Sequence, residues 1–582
     1  MRASHRFCVA IGSLLIALIA GEYLAGQLTQ MLLNVRAPLE LGTYWSYVRA
    51  IDLPQVAPYV SRIKMAGGVG FGLPLLAWMA LLVWLLKQEG TATHGDARFA
   101  SRKELARQNM FKASATGIVV GKYRGRLLRL HGQQFVILAA PTRSGKGVGI
   151  VIPNLLEYQG SVLVLDIKLE NHAKTSGWRL SQGQQIFLFN PFAEDGRTHR
   201  WNPLHYISSD PVARVSDLMS VAAMLYPDGS DAQKFWVSQA RNAFMAFSLY
   251  LFDCLDDQVR QTYPDQDLEF PTLGQIYRVS SGNGGDLKAY LRKLSQHAFV
   301  SSDARLAFDN LISQAEETFA SIMGTFREPL NQFINPIMDA ATSGNDFLLT
   351  DVRRKKMSIY IGIQPNKLAE ARVLINLMFS QLINLNTKEL PQDNPELKYQ
   401  CLLLMDEFTS IGKVDIIANA VSYMAGYNLR LLPIIQSMAQ LDATYGKDVA
   451  RTLVTNHALQ ILYAPREQQD ANEYSDMLGY TTVRMRNKSQ SRGRHGSVSY
   501  SETEQRRALM LPQELKAMGP DKQVFLYEGI ANPVLCQKIR YYNDPYFKKR
   551  LLPAVAVKKL SPAVTGESGS SQQTTATRRV KA

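Results

Sequence analysis

The sequence has few cysteines, and none of them lie at the spacing of a metal-binding pair. The 582-residue chain contains four, at Cys8, Cys254, Cys401 and Cys536. Without a C-x-x-C pair, neither a zinc ribbon nor a disulfide framework is indicated. This cysteine usage is typical of a protein in the reducing cytoplasm.

Acidic residues are too few to balance the basic ones. The chain has 65 lysines and arginines against 50 aspartates and glutamates, a net charge of +15. That balance favours an anionic partner, either nucleic acid or anionic lipid. Hydrophobic residues make up 46% of the chain, which excludes a wholly disordered protein. The length is too great for one core, so we expect about two or three domains.

Charge is almost absent from two stretches near the N-terminus. Phe7–Gly26 contains only Glu22, and Met65–Leu86 contains no charged residue. Each is as long as the ~20 residues that cross a bilayer, so residues 1–86 are predicted to be a membrane anchor of two transmembrane helices with a periplasmic loop. For the first stretch, the alternative is a cleaved signal peptide. Gly68 and Gly72 have the spacing of close helix contacts.

Basic residues flank the two stretches and suggest cytoplasmic ends. The bias is weakened by basic residues in the loop between them. The flanking residues are Arg2, Arg6, Lys87, Arg98, Arg102, Lys103 and Arg107, and those of the loop are Arg36, Arg49, Arg62 and Lys64.

Residues 139–149 read AAPTRSGKGVG and lack two parts of the phosphate-binding pattern G-x-x-x-x-G-K-[ST]. Ala140 stands where the first glycine belongs, and Gly147 replaces the hydroxyl that binds magnesium. Gly145, which lets the backbone approach phosphate, and Lys146, which reaches the outer phosphates, are present. We interpret the segment as a candidate nucleotide-binding loop, with a surface turn as the alternative. The loop comprises Pro141, Thr142, Arg143, Ser144, Gly145, Lys146, Gly147 and Val148.

Apolar runs of strand length occur on both sides of a long helical stretch. They predict an α/β fold with a parallel sheet covered on both faces. The runs are Gln133–Ala140, Ser161–Lys168, Gln184–Asn190, Lys355–Ile363, Cys401–Glu407, Leu429–Ser437, Ala458–Ala464 and Lys522–Gly529. The domains predicted after the anchor are 87–204 and 346–545 (the two parts of a nucleotide-binding domain), 205–345 (an all-α insertion), and 546–582 (a basic, disordered tail).

The run CLLLMDEF ends a predicted strand with two carboxylates. Asp406 is expected to hold Mg²⁺ through oxygen and water, and Glu407 to orient or deprotonate the attacking water. Alternatively, the pair caps the next helix. A phosphate loop, a helical insertion and an apolar strand ending in Asp-Glu occur in the order of an NTPase. ATP and Mg²⁺ are therefore the expected cofactors.

The next predicted strand offers two more candidates. Gln436 lies at its end and could sense the γ-phosphate, or it could simply terminate the strand. Arg430 lies at its start and could reach the phosphate of a neighbouring subunit as an arginine finger. The alternative for Arg430 is a surface ion pair.

The chain contains, in this order, the blocks PTRSGKGVGIVIPN, VLVLDIKLEN, FLFNPF, RWNPL, KFWVSQA, LLLMDEF, LRLLPIIQS and RRALMLPQEL. Taken together, these blocks resemble the coupling-protein ATPases of type IV secretion and conjugation systems, the TraG-like and TraD-like family. The resemblance runs from about His94 to about Phe547. It implies a RecA-like P-loop NTPase core with an inserted all-α domain, preceded by two transmembrane helices.

The resemblance also implies a hexameric motor in the bacterial inner membrane with its ATPase body in the cytoplasm. Such a motor recruits a relaxase–DNA complex or effector proteins and delivers them to the secretion channel. Its expected partners include the channel components and the other secretion ATPases. The family's P-loop lysine falls on Lys146, its second-motif carboxylates on Asp406 and Glu407, and its sensor glutamine on Gln436. Glycine at position 147 is a family trait. Ala140 departs from the usual glycine, and weakened binding is the most we expect from it.

A further family block contains Asp166, Lys168 and Glu170, for which an ion-paired helix start is the plain interpretation. Sequence-independent DNA binding requires basic side chains against phosphates. The candidates are the tail and a predicted loop that contains Arg484, Arg486, Lys488, Arg492 and Arg494; a solvated loop, or for the tail attraction to lipid, is the alternative. Two other functions remain open: a membrane-anchored docking scaffold that binds nucleotide with little turnover, and a chromosome-segregation DNA translocase.

Overall fold

The structure is a computed structural model that describes residues 3–86, 93–229, 231–261, 270–490 and 498–560. The chain separates into two compact units, Met1–Thr93 and His94–Ala582.

The first unit consists of helices α1 (Ala3–Leu33), α2 (Thr43–Arg49) and α3 (Val60–Leu86). Two segments, Val9–Leu33 and Ala57–Val83, are long and apolar enough to cross a membrane by length and composition. Many of their apolar side chains are exposed, including Ile16 at 69% and Leu76 at 62%. Such a surface suits lipid better than water.

Helices α1 and α3 approach each other closely at Gly21 and Gly70, but not at Gly68 and Gly72. A Cβ added at Gly70 would lie 2.5 Å from the Cα of Ala25, and one at Gly21 would lie 2.7 Å from the ring of Phe71. At Gly68 and Gly72 an added Cβ would meet nothing within 4 Å among the described residues. Gly68 and Gly72, which have the spacing of close helix contacts, therefore do not mediate the contact between α1 and α3, because that contact lies on a different face of α3.

The second unit is built on an 11-stranded sheet with the order β2-β1-β13-β12-β9-β3-β8-β7-β4-β6-β5. Strands β9, β3, β8, β7, β4, β6 and β5 run parallel, and β12, β13, β1 and β2 extend the sheet with antiparallel neighbours. The strands are β1 (Ile118–Tyr123), β2 (Arg126–Leu130), β3 (Val136–Ala139), β4 (Ser161–Asp166), β5 (Gln185–Phe189), β6 (Met357–Gly362), β7 (Cys401–Met405), β8 (Leu429–Ile435), β9 (Leu459–Leu462), β12 (Lys522–Tyr527) and β13 (Ile530–Gln537). A separate two-stranded sheet pairs β10 (Tyr480–Gln490) with β11 (Val498–Ala508).

The parallel strands are apolar throughout because both of their faces are buried. Every residue of β4, β7 and β8 is buried. Alternate side chains enter different cores: Leu163 and Leu403 belong to one hydrophobic cluster, and Val164 and Leu404 to the other. This is the pattern expected of a sheet covered on both sides.

Helices cover the sheet and fill the long connection between β5 and β6. Within that connection the described residues form helices and loops without strands, around a core that includes Phe244, Phe247, Phe308 and Phe326. The helices of the second unit are α4 (Arg102–Arg107), α5 (Ile152–Glu157), α6 (Glu170–Ser181), α7 (Pro211–Leu225), α8 (Lys234–Gln261), α9 (Leu273–Ser280), α10 (Leu287–Ser295), α11 (Ser302–Ile312), α12 (Glu316–Arg327), α13 (Pro336–Ala341), α14 (Leu368–Asn386), α15 (Asp415–Ala420), α16 (Met438–Tyr445), α17 (Lys447–Thr455), α18 (Gln468–Met477), α19 (Pro512–Lys516) and α20 (Pro545–Lys548).

The segment after residue 545 packs against the domain as far as residue 560. Phe547 is fully buried, and Arg550 pairs with the buried Glu157. The Pro553 carbonyl lies so close to α6 that a Cβ at Gly177 would be 2.0 Å from its oxygen. The predicted disordered tail is therefore wrong for residues 546–560, because apolar and paired charged side chains anchor them. Residues 561–582 lie outside the described residues.

Replacing Phe547 by Ala tests this packing. We expect the free energy of unfolding to fall by about 3–5 kcal/mol, the range for truncating a buried phenylalanine. Leu552→Ala is the control, because Leu552 is 37% exposed. Urea unfolding would measure both. Equal small losses in the two variants would contradict the described packing.

Candidate nucleotide-binding site

The first position of the phosphate-loop pattern belongs to the sheet. The N–H of Ala140 donates to the carbonyl of Ile435, at 2.9 Å, and Ala140 is fully buried. Its methyl group packs in the hydrophobic core beneath the loop. Alanine is therefore accommodated at this position.

The loop itself turns on residues with left-handed backbone conformations. Gly145 has φ of 86°, which favours glycine, and the N–H of Gly149 donates to its carbonyl at 2.8 Å. A helix then begins with a π-helical turn at Gly147–Val151 and continues as α5. Pro153 does not interrupt this helical segment; it is the second residue of α5 and follows the π-helical turn.

Three separate parts of the chain meet beside this loop. The Lys146 ammonium forms an ion pair with Glu407 and lies 3.7 Å from an oxygen of Asp406. The side-chain amide of Gln436 donates to the other oxygen of Glu407, at 2.6 Å. The sheet causes this meeting, because β3, β8 and β7 are neighbours whose carboxyl ends share one edge.

The carboxyl groups of Asp406 and Glu407 have pKa values that are shifted in opposite directions. Burial opposes ionisation of Glu407, but the hydrogen bonds from Lys146 and Gln436 outweigh it and lower the pKa of this group. Burial raises the pKa of Asp406, although Lys146 offsets part of the effect. Glu407 also has φ of 59°, an uncommon backbone conformation that is concentrated at functional sites. The arrangement keeps Glu407 ionised and fixed in orientation.

Asp166 ends the neighbouring strand β4 and completes this edge of the sheet. Its carboxylate accepts hydrogen bonds from the N–H groups of Asn171 (3.2 Å) and His172 (2.8 Å) at the start of α6. Burial raises its pKa to about 6, and the nearby charge of Asp406 adds to the effect. Glu170 pairs with Lys174 at 3.7 Å on the exposed face of the helix. Asp166 thus binds backbone groups rather than a basic side chain.

Two buried oxygen atoms in the site are candidates for binding a divalent cation. One oxygen of Asp406 and the hydroxyl of Ser144 are buried without hydrogen-bond partners. Within the described ranges no three His, Cys, Asp or Glu residues form a cluster that could hold a metal. A site with few protein ligands suits Mg²⁺, which keeps several of its own waters.

Arg430 does not lie where an arginine finger requires it. Its side chain is completely buried and donates to the carbonyls of Gln134 (2.7 Å), Thr116 (2.7 Å) and Leu130 (3.2 Å). A group enclosed in this way has no route to a neighbouring subunit. The arginine-finger hypothesis for Arg430 is therefore wrong, and the surface ion pair is wrong as well.

The basic segment predicted as a DNA-binding loop is partly a strand. Arg484 and Arg486 lie in β10, where Arg484 pairs with Glu504 at 3.0 Å and Arg486 lies 4.2 Å from the ring centroid of Tyr500. The backbone of Lys488 belongs to β10, but its side chain lies outside the described residues, as do Arg492 and Arg494.

Lys538, which follows β13, lies beside the loop without having been foreseen from the sequence. Its ammonium donates to the carbonyl of Ser144, at 3.3 Å. No motif surrounds this lysine, so only the antiparallel extension of the sheet reveals its position.

The fold and the loop together define a P-loop nucleotide-binding protein with a RecA-like core. A solved structure of the plasmid coupling protein TrwB with ADP and Mg²⁺ has this fold, with a TM-score of 0.52 and 16% identity, over 82% of this chain and 99% of TrwB. The family model described as "Type IV secretory system Conjugative DNA transfer" matches residues 91–563. The chain belongs to this family.

Two similar proteins support this family assignment. Protein VirD4 of Rhizobium rhizogenes is 30% identical over 467 residues, which cover 78% of this chain and 66% of that protein. The conjugal transfer protein TraG of Escherichia coli is 27% identical over 581 residues, which cover 90% of this chain and 88% of TraG. The chain thus spans about two thirds of VirD4 and most of TraG.

Proposed function

We propose that this protein is the coupling ATPase of a type IV secretion or conjugation system. It recruits a relaxase–DNA complex or protein effectors and uses ATP hydrolysis to deliver them to the secretion channel and its associated ATPases. The observation that carries the proposal is the convergence of Lys146, Glu407 and Gln436 at one edge of the sheet. Family membership and the ADP and Mg²⁺ in the TrwB complex support the same conclusion.

Each residue has a role that follows from its contacts. Lys146 exchanges the Glu407 carboxylate for outer phosphate oxygens, which frees Glu407 to accept a proton from the attacking water. Gln436 holds Glu407 in orientation through its hydrogen bond, and we propose that it also senses the γ-phosphate. Asp406, whose buried oxygen accepts no hydrogen bond and faces Lys146 at 3.7 Å, is the residue that would hold Mg²⁺. Mg²⁺ held there would neutralise charge that develops on the phosphates.

We further propose that α1 and α3 cross the bacterial inner membrane and leave the second unit in the cytoplasm. The apolar exposed surface of these helices supports the first statement. The proposed assembly is a homohexamer, as implied by the resemblance. Sequence-independent DNA contact through Arg484 and Arg486 is part of the proposal, because basic side chains on an exposed hairpin suit phosphates.

ATP hydrolysis measured with and without DNA tests the proposal. The protein that lacks residues 1–86 should hydrolyse ATP faster when DNA is added, and Lys146→Ala should reduce the stimulated rate at least about tenfold, since the lysine stabilises charge on the transferred phosphate. Equal rates in the two proteins would contradict a motor. Nucleotide binding without turnover would favour the docking scaffold instead.

A further inference from the structure

A second cation lies against the phosphate loop on the side away from Glu407. The Lys538 ammonium is 3.3 Å from the carbonyl oxygen of Ser144 and 3.6 Å from the ring centroid of Tyr463. The Tyr463 hydroxyl lies close to the turn that follows the loop, because a Cβ added at Gly149 would be 2.5 Å from it. Both residues therefore pack directly on the loop and the turn that follows it.

This cation has no acidic partner. Across the described ranges, no carboxylate lies within 4 Å of the Lys538 ammonium, and the nearest acidic influence, Asp521, is paired with Arg540 at 2.5 Å. Lys538 is half-buried, and burial lowers its pKa to about 8. A partly desolvated charge without a counter-ion is unfavourable until an anion approaches.

The order of the strands indicates which part of an anion would approach. Strand β3 leads into the loop, with β8 and β7 on one side and β9, β12 and β13 on the other. Glu407 and Gln436 follow the first pair, whereas Tyr463 and Lys538 follow β9 and β13. Lys538 and Glu407 thus lie on opposite sides of the loop along the sheet edge, so a nucleotide with its outer phosphate between Lys146 and Glu407 would have its inner phosphates nearer to Lys538.

We propose that Lys538 binds the inner phosphates of the nucleotide as a second cation of the phosphate site. The inference rests on the proposed function, since it requires that the loop bind a nucleoside polyphosphate. The inner phosphates are common to ADP and ATP. Lys538 therefore contributes equally to the binding of both, unlike a residue that contacts only the γ-phosphate.

The test is the affinity of the full-length protein in detergent for fluorescent methylanthraniloyl derivatives of ADP and ATP, with Mg²⁺ present. Lys538→Met should weaken the binding of each nucleotide by the same factor, about ten- to a hundredfold, the range for a hydrogen bond to a charged group. Lys538→Arg should restore most of the affinity. Lys522→Met is the matched control, because Lys522 is an exposed lysine on the adjoining strand β12 and should bind like the unmodified protein.

The outcomes separate this inference from the function on which it rests. If the unmodified protein binds neither nucleotide, the proposed function and this inference both fail. If it binds both and Lys538→Met binds equally well, only the role of Lys538 is overturned. A loss confined to ATP would also overturn it, because the contact would then be with the γ-phosphate.

Discussion

Replacing Glu407 by Gln is expected to reduce the rate of ATP hydrolysis by about 10²–10⁴-fold, the contribution of a positioned general base. Glutamine keeps the shape of the side chain and can still accept a hydrogen bond, but it cannot take a proton from water. The ion pair with Lys146 is also lost, so the lysine is freer to bind phosphate. Nucleotide binding should therefore be retained or strengthened while turnover is lost.

Steady-state hydrolysis and nucleotide affinity should be measured on the same preparation. Glu370→Gln is the control, because this glutamate pairs with Lys367 at 2.9 Å on an exposed helix face. It should hydrolyse ATP at the unmodified rate. An unaltered rate in Glu407→Gln would show that another group activates the water.

Replacing Arg430 by Met is expected to destabilise the fold rather than impair the chemistry alone. Three carbonyls that now accept hydrogen bonds from the guanidinium, one in a buried contact and two in part-buried contacts, would lose this donor. Each such group costs about 1–3 kcal/mol, so we expect the free energy of unfolding to fall by at least about 3 kcal/mol. An arginine finger would behave differently, because its loss would leave stability unchanged.

Urea unfolding of the second unit would measure this effect. Arg354→Met serves as the control, because Arg354 is exposed and pairs with Glu396 at 3.4 Å. Exposed pairs of this kind contribute little. If Arg430→Met were as stable as Arg354→Met but did not hydrolyse ATP, this result would support the arginine-finger hypothesis for Arg430.

The parallel part of the sheet could be predicted from sequence because burial on both faces leaves continuous apolar runs. CLLLMDEF and LRLLPIIQS are examples, and both are strands. Among the antiparallel strands, β12 was predicted in the same way from the run Lys522–Gly529, whereas β1, β2, β10, β11 and β13 lack such a pattern. β2 reads RLLRL, which mixes exposed and buried positions, and β10 and β11 form a hairpin with charged residues along both strands. Their pairing depends on partners that are distant in sequence.

Some residues of the nucleotide site could likewise be predicted from the sequence, and others could not. Lys146, Asp406 and Glu407 could be predicted because phosphate chemistry demands those residue types at the ends of strands. The prediction for Arg430 was wrong because an arginine at the start of a strand resembles a surface residue. Its carbonyl partners come from β2 and from the segments that precede β1 and β3, which are distant in sequence. Lys538 was missed because a lone lysine after a strand has no local pattern that distinguishes it.

The neighbours of β3 also determine when the site can form during synthesis. Leu138 pairs with Ile434 of β8, and Val136 pairs with Leu459 of β9, separations of about 300 residues. At the usual rate of about 5–20 residues per second, the ribosome needs some tens of seconds to make the missing strands. The nascent loop therefore emerges early and lacks its neighbouring strands until β8 and β9, which end at Ile435 and Leu462 of the 582-residue chain, have been made. Long-range pairing of this kind slows folding and exposes apolar strands to aggregation, so chaperones are expected to hold the growing chain.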